Sequence, residues 1–211
     1  MTSPETDLEM ACLEVAWRSY ISDDLQLFDR LMKRHREKHR RYHTAIHVAW
    51  VIRHVEELAQ VEPVDHHDEV IAAAFYHDAI YEPTHPANER ASARLARRDL
   101  AGLEWSEERA ERVAALVEAT EHGTACAPTG DTAILVDADL AILGADPATY
   151  ATYVSEVRRE YRHVDDEAWS EGRAAVLQGF LDRPTIFSTP TGRDRWESNA
   201  RMNIAGELAG L

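Results

Sequence analysis

A run of small and apolar residues ends in two adjacent ionisable side chains, and no other feature restricts the fold as much. The run covers residues 72–76, and His77 and Asp78 follow it directly. A buried imidazole and a buried carboxylate are costly unless another group pairs with them. A divalent cation is the simplest partner for both. The segment therefore predicts a packed helix that brings two metal ligands to its end.

Two other segments can supply the remaining ligands. His43 and His47 are four residues apart, so on a helix both imidazoles lie on one face, a turn from each other. Further along the chain, Asp137 and Asp139 stand within the otherwise apolar residues 134–143. Histidines and carboxylates on three apolar segments are the donor types of a divalent-metal site.

Taken in order, these motifs resemble the HD superfamily of metal-dependent phosphohydrolases. Tyr-His-x-x-x-His at 42–47 and Ala-Asp-Leu at 138–140 are similar to motifs of the cyclic-nucleotide phosphodiesterase branch. His-Asp-x-x-Tyr at 77–81 and Asn-Glu-x-x-Ser at 88–92 resemble more closely a small bacterial family of predicted HD phosphohydrolases. The tail of that family recurs as Arg-Glu-Tyr at 159–161, Gly-Arg at 172–173 and Ala-Arg-Met-Asn at 200–203, so the resemblance extends from about residue 41 to the C-terminus.

The resemblance implies a metal centre and a general acid. His43 would protonate the leaving oxygen, a task suited to an imidazole because its pKa lies near neutrality; otherwise it would hydrogen-bond a carboxylate near the metal. Asp137 would support the site or cap a helix. The cation would be Mn, Co, Ni, Fe, Zn or Mg, since two imidazoles and two carboxylates accept all of these. The implied ligands are His47, His77, Asp78 and Asp139.

Other polar residues are candidates for handling water and substrate. Glu82, one turn beyond Asp78, and Glu89, in the Asn-Glu motif, could orient or deprotonate the attacking water, and the motif favours Glu89. His122 could bind a second metal or a phosphate, or stand as a cation at a helix C-terminus. Arginine forks suit phosphate, although salt bridges to an acidic surface are their other common use. The candidate substrate-binding residues are Arg41, His122, Arg159, Tyr161, Arg173 and Arg201.

The charge of the chain restricts its partners. Its 211 residues carry 23 basic and 38 acidic side chains, a formal net charge of −15, which disfavours nucleic acid and leaves a small phosphorylated metabolite as the expected ligand. No apolar run approaches a membrane span, and the N-terminus does not resemble a signal peptide. The two cysteines, Cys12 and Cys126, suit a reducing compartment. We therefore expect a cytoplasmic protein that binds neither nucleic acid nor membrane, and a homodimer is compatible with this composition.

Helical periodicity recurs along the chain without strand-type alternation, which predicts an all-α fold. The HD resemblance makes this one helical domain over residues 1–211, with a core at about 41–145 and the C-terminal helices 146–211 packed on it. A second His-Asp pair, His67-Asp68, precedes its helix, so Asp68 is predicted to be an N-cap and not a ligand. The other predictions are a solvated basic run at 33–40, a helix ending near 121–123, helices at about 147–164 and 166–182, and a loop at 183–193.

The predicted function is a metal-dependent phosphohydrolase. It would use a metal-activated water to cleave a phosphoester or pyrophosphate bond of a small, nucleotide-like metabolite. An HD-type di-iron oxygenase is one alternative; it would need extra histidines between the His-Asp pair and Asp139, where only His85 and His122 occur. A non-catalytic metal- or nucleotide-binding module is the other.

Overall fold

The computed structural model describes residues 4–121 and 127–211, and within these ranges it is helical, with no strand. This confirms the predicted all-α class. None of the described helices is both long and apolar enough to cross a bilayer. The helices are α1 Pro4–Tyr20, α2 Leu25–Arg34, α3 Ala45–Ala59, α4 His67–Tyr76, α5 Asn88–Gly102, α6 Glu107–Glu118, α7 Gly130–Leu140, a 3-10 turn at Ala141–Gly144, α8 Pro147–Glu160, α9 Asp166–Leu181 and α10 Pro190–Leu208.

Helix α4 lies at the centre of the core, in contact with α1, α3, α5, α6 and α7. Every residue from Glu69 to Tyr76 is buried. The three consecutive alanines, residues 72–74, have short side chains, so neighbouring helices can approach closely, and the helix is apolar on almost all sides. The buried Glu69 is an exception, and its carboxylate accepts hydrogen bonds from Arg109 and Arg112 of α6. A helix surrounded in this way holds its C-terminal end in a fixed position.

The 3-10 turn after α7 joins the C-terminal helices to this core. Helices α8 and α10 both pack against it. A Cβ added to Gly144 would lie 2.4 Å from the Cβ of Trp196, so only glycine allows α10 to come this close. The side-chain amide of Asn203 donates to the carbonyl oxygens of Leu143 and Ala145, both at 2.9 Å. The end of α7, which carries Asp139, is therefore held between the central helices and α10.

Several predicted boundaries are wrong. The N-cap of α4 is His66, and Asp68 is the second residue of the helix. Helix α8 ends at Glu160, before 164, and α10 begins at Pro190, inside the predicted loop. Helix α6 ends at Glu118, and the predicted terminus at His122 and Gly123 lies outside the described residues.

Candidate metal centre

Four potential ligand atoms converge where α3, α4 and α7 meet. The Nε2 atoms of His47, on α3, and His77, the C-cap of α4, are 3.1 Å apart. Asp78 Oδ2 lies 3.5 Å from His47 Nε2 and 3.1 Å from His77 Nε2. Asp139 Oδ1 lies 3.1 and 3.6 Å from the same two nitrogens. The structure therefore brings together all four residues that the HD resemblance implies as ligands.

The cost of burying His47, His77 and Asp78 is offset by their interactions with the neighbouring charged groups. Burial by itself would lower the pKa of both imidazoles, but hydrogen bonds and attraction from Asp78 and Asp139 outweigh it. The pKa of His47 is therefore raised, and that of His77 is raised to about 9. Burial likewise opposes ionisation of Asp78, yet the neighbouring histidines hold its pKa well below the usual range. The carboxylates thus favour positive charge at this point, which a bound divalent cation would supply in place of the imidazole protons.

The donor set fits a divalent cation. His47, His77 and Asp78 each present a ligand atom, these atoms lie within 4.8 Å of one another, and the group could bind a metal ion. His77 has the outer hydrogen bond common among metal-binding histidines, since its Nδ1 lies 2.9 Å from the carbonyl oxygen of Ala74. The Nδ1 of His47 has no such partner among the described residues. Nitrogen and carboxylate donors together suit first-row transition metals.

His43 lies beside this cluster and is held by a residue to which sequence analysis gave no role. Its Nδ1 is 2.6 Å from Glu160 Oε2, and its ring stacks on Tyr81 at 4.2 Å between centroids. The Tyr81 hydroxyl donates to the same oxygen at 3.0 Å. The other oxygen, Oε1, accepts the backbone amides of Arg41, Tyr42 and His43.

Glu160 is therefore an ionised, buried anchor for the segment that carries His43. Burial opposes its ionisation, but the hydrogen bonds from His43 and from the backbone amides outweigh this and lower the pKa of Glu160 to about 2. The Arg-Glu-Tyr motif at 159–161 could have identified this residue. Arg159 and Tyr161 of the motif were predicted to bind substrate, whereas Glu160 was given no role.

Arg40 is a second residue that sequence analysis misassigned. The basic run at 33–40 was predicted to be solvated, but Arg40 is only 2% exposed. Its guanidinium donates to the carbonyl oxygens of His43 at 3.0 Å, Asp78 at 2.7 Å and Ala79 at 3.2 Å. The side chain therefore ties the His43 segment to the backbone of the His-Asp pair.

A cavity of about 830 Å³ opens beside the cluster. His43, His77, Asp78 and Asp139 line one part of it, and residues of α8, α9 and the turn between them line much of the opposite part. Tyr42 also lines this cavity, although its hydroxyl oxygen is buried and has no hydrogen-bond partner among the described residues.

The predicted water-handling and substrate residues divide into two groups. Glu89, Tyr161 and Arg173 line the cavity. Arg173 is nevertheless engaged, since its guanidinium forms two hydrogen bonds with Glu207 at 2.7 and 3.0 Å. Arg183 also lines the cavity and was not predicted.

Four other predicted residues, Glu82, Arg41, Arg159 and Arg201, do not line the cavity. Glu82 is exposed. Arg41 donates to the carbonyls of Lys38 and Arg40, and Arg201 pairs with Glu197. Arg159 is exposed, and His122 lies outside the described residues.

Asp137, two residues before Asp139, has a supporting role. Its carboxylate accepts the backbone amides of Ser188 and Thr189 and the Thr189 hydroxyl, so it fixes the start of α10. A Cβ added to Gly192 would lie 2.5 Å from Asp137 Oδ2, so glycine is needed at this contact.

Comparison of the chain with protein-family models, with curated proteins and with solved structures finds no match.

Proposed function

We propose that this protein is a metal-dependent phosphohydrolase that acts on a phosphate ester or pyrophosphate of a small metabolite. One observation carries the proposal: the Nε2 atoms of His47 and His77 lie 3.1 Å apart, and each lies 3.1–3.6 Å from a carboxylate oxygen of Asp78 and of Asp139, beside a histidine held by a buried glutamate. His47, His77, Asp78 and Asp139 would hold the ion, which would be Mn, Co, Ni, Fe, Zn or Mg. A bound divalent cation supplies Lewis acidity, lowering the pKa of water and offsetting phosphoryl charge.

In this proposal His43 provides the proton for the leaving oxygen. Its Nδ1–H donates to the ionised Glu160, which leaves Nε2 as the nitrogen available to a substrate in the cavity. The stacked Tyr81 ring and the three backbone amides bound by Glu160 hold the imidazole in position. General acid catalysis by a positioned imidazole typically contributes about 10²–10⁴-fold to the rate.

Glu89 is the favoured residue for orienting the attacking water. It lies in the first turn of α5 and lines the cavity, whereas the exposed Glu82 does not. Arg173 is paired with Glu207, so it is not available to a phosphate. Arg183 also lines the cavity, and no carboxylate of the described residues lies within 4.0 Å of its guanidinium, so it is the arginine proposed to meet the phosphate.

An oxygenase is the second candidate, and one observation favours it. Arg41, Arg159 and Arg201 do not line the cavity, so its charge complementarity to phosphate is smaller than the sequence predicts. Hydrolysis still accounts better for the His43–Glu160 pair, because a proton donor at the leaving group is what ester cleavage requires.

The test is metal analysis of purified protein, then assays of phosphate release with Mn²⁺, Co²⁺, Ni²⁺, Zn²⁺ or Mg²⁺ on phosphomonoesters, phosphodiesters and pyrophosphates. Oxygen consumption with Fe²⁺ is measured in parallel. Phosphate release that chelation abolishes supports the proposal. Oxygen consumption without phosphate release would favour the oxygenase, and bound metal without either reaction would favour a binding module.

A further inference from the structure

The cavity beside the candidate metal centre continues along an apolar face of α9. Ala168, Gly172, Ala175, Val176 and Gly179 all line it. Their spacing of i, i+4, i+7, i+8 and i+11 places them on one face of the helix. The adjacent positions Arg173, Leu177 and Phe180 are the buried ones. Helix α9 therefore has one side packed on the protein and a second, apolar side turned to the cavity.

This second side lacks the polar residues that usually cover an exposed helix face. Val176 is 50% exposed, and the other four residues of the face are exposed as well. A Cβ added to Gly172 or Gly179 would meet no atom within 4 Å, so packing does not require glycine at either position. Glycine inside a helix lowers helix stability relative to alanine. Both glycines leave space at the cavity without a compensating contact.

The side of the cavity formed by α8, α9 and the segment between them, here called the outer wall, offers few side chains that could hydrogen-bond to a nucleobase. Among the described lining residues of α8, α9 and the segment between them there is no Asn, Gln, Ser, Thr or Lys, and Arg173 is bonded to Glu207, so Arg183, just after α9, is the guanidinium left on this side of the cavity. From α8 and the adjoining segment the wall receives aromatic and branched aliphatic side chains, including Tyr153, Val157 and Val164. Base recognition normally uses hydrogen bonds to the base edges, and leaving those edges unpaired in an apolar pocket is costly.

We propose that the substrate of this site is a phosphate ester of an apolar alcohol, with an alkyl or aryl group that lies against α9, and not a nucleotide. This inference rests on the proposed function. Two observations support this occupant: the apolar face lies in the same cavity as the metal-type cluster, and Gly172 and Gly179 leave unfilled space along that face. In the reaction, a water oxygen forms a bond to phosphorus, the bond from phosphorus to the ester oxygen breaks, and that oxygen takes up a proton to give the alcohol and inorganic phosphate.

The test compares methyl, butyl and octyl phosphate with adenosine 5′-monophosphate, using full-length protein and added Mn²⁺. Each methylene that enters the cavity should raise kcat/KM by up to about fourfold. Even if each of the seven added methylenes contributes only about twofold, octyl phosphate should exceed methyl phosphate by about 100-fold, and it should also exceed the nucleotide. A flat chain-length profile, or a preference for the nucleotide, would overturn the inference while leaving the proposed function intact.

A pair of glycine substitutions tests the face itself. Gly172→Leu fills the space beside α9 and should lower kcat/KM for octyl phosphate by about 10-fold or more, with methyl phosphate changed less than twofold. Gly206→Leu is the matched control, because Gly206 is also an exposed helical glycine with no atom near an added Cβ, and it does not line the cavity. Both variants should melt at or above the wild-type temperature. Loss of activity on both substrates in Gly172→Leu, with folding retained, would contradict the proposed placement of the alkyl chain.

Binding and assembly measurements separate the remaining outcomes. Octylphosphonate and methylphosphonate cannot be hydrolysed, so calorimetry with both shows whether the apolar group binds even if no ester is cleaved. If octylphosphonate binds more tightly than methylphosphonate but no ester is hydrolysed, the proposed function is wrong and the apolar binding site is supported. Equal binding would overturn the inference. A change of oligomeric state in Gly172→Leu by analytical ultracentrifugation, with unchanged chain-length dependence, would instead make this face an interface between copies of the chain.

Discussion

Helix α4 has a His-Asp pair at each end, and the two pairs have different environments. At the N-terminal end, the His67 side chain is 28% exposed and the Asp68 side chain 53% exposed. At the C-terminal end, the corresponding values are 2% for His77 and 17% for Asp78. The same dipeptide therefore occurs once at the surface and once in the core.

The partners differ in the same way. His67 Nε2 lies 3.3 Å from a carboxylate oxygen of Glu56, and Asp68 is 3.7 Å from Arg109, which are ordinary surface pairs. His77 and Asp78 instead meet a second histidine and a second aspartate from α3 and α7. A His-Asp pair becomes a candidate metal site when burial leaves a cation as its best partner and other helices supply further donors.

The largest expected effect comes from removing the carboxylate at the buried end. Asp78→Ala should lower metal affinity by more than about 100-fold and abolish metal-dependent activity, because a ligand contributes more than the outer residues that orient it. Asp68→Ala is the matched control and should retain both. Metal content after dialysis, and calorimetry with Mn²⁺, measure the difference. Equal metal binding by the two variants would remove the contrast between the two ends.

His43→Ala tests chemistry apart from metal binding. His43 precedes Thr44, the N-cap of α3, and so does not share a helix turn with His47 as the sequence predicted. It is bonded to Glu160 and is not one of the four clustered residues, so the variant should keep its metal and lose about 10²–10⁴-fold in kcat. The loss should shrink for an aryl phosphate, whose acidic leaving group needs little protonation. His67→Ala, at the exposed end of α4, should keep wild-type activity. An equal loss on acidic and basic leaving groups would assign His43 to positioning, and a loss of metal would make it a ligand.

The buried end should also determine part of the pH dependence of stability. His35 Nε2 lies 3.2 Å from the carbonyl oxygen of Phe75 in α4. Burial, aided by the nearby Arg40, lowers the pKa of His35 from 6.5 to about 3. The unfolded chain thus takes up a proton on this ring at a higher pH than the folded chain does. The stabilisation is complete above pH 6.5 and is lost as the pH falls toward 3.

Between pH 7 and pH 5 this difference amounts to roughly 2 kcal/mol of unfolding free energy. Urea unfolding of wild type and His35→Gln at both pH values isolates the contribution of this ring. The stability of wild type relative to His35→Gln should fall by that amount at pH 5. A difference that does not change with pH would mean that the pKa of His35 is the same in the folded and unfolded chains.

Much of the fold could be predicted from patterns among residues that are close together in the sequence. Apolar spacing identified the helices, and some helix starts are likewise set by adjacent residues: Asp24 accepts the amides of Gln26 and Leu27, and Ser106 accepts that of Arg109. These interactions depend only on residues two or three positions away. The cluster of histidines and aspartates was found because its members recur in a family pattern.

The sequence did not identify residues whose partners are distant or are backbone atoms. Glu160 accepts amides 117–119 positions away, and this pairing exists only after α8 has packed. Arg40 is one cation in a basic run, and it differs from Arg34 and Arg36 only because backbone carbonyls surround it. A backbone carbonyl has no side-chain identity that a sequence pattern could reveal. The prediction that Asp68 caps α4 failed for a similar reason. The segment before α4 is held by a distant residue, since the Asp131 carboxylate accepts the amides of Asp65 and His66.

The smallest expected effect concerns the stability contributed by the exposed end. Asp68 lies in the first turn of α4, where its charge interacts favourably with the helix dipole, and its pair with Arg109 is long and exposed. Asp68→Asn should therefore lower the free energy of unfolding by only about 0.5 kcal/mol, since both interactions are weak at the surface. Salt at about 1 M should remove most of the difference, because exposed charges are then screened within about 3 Å. Urea unfolding at low and high salt measures the effect, and a loss of 2 kcal/mol or more, independent of salt, would show that Asp68 has a structural role which its exposed position does not indicate.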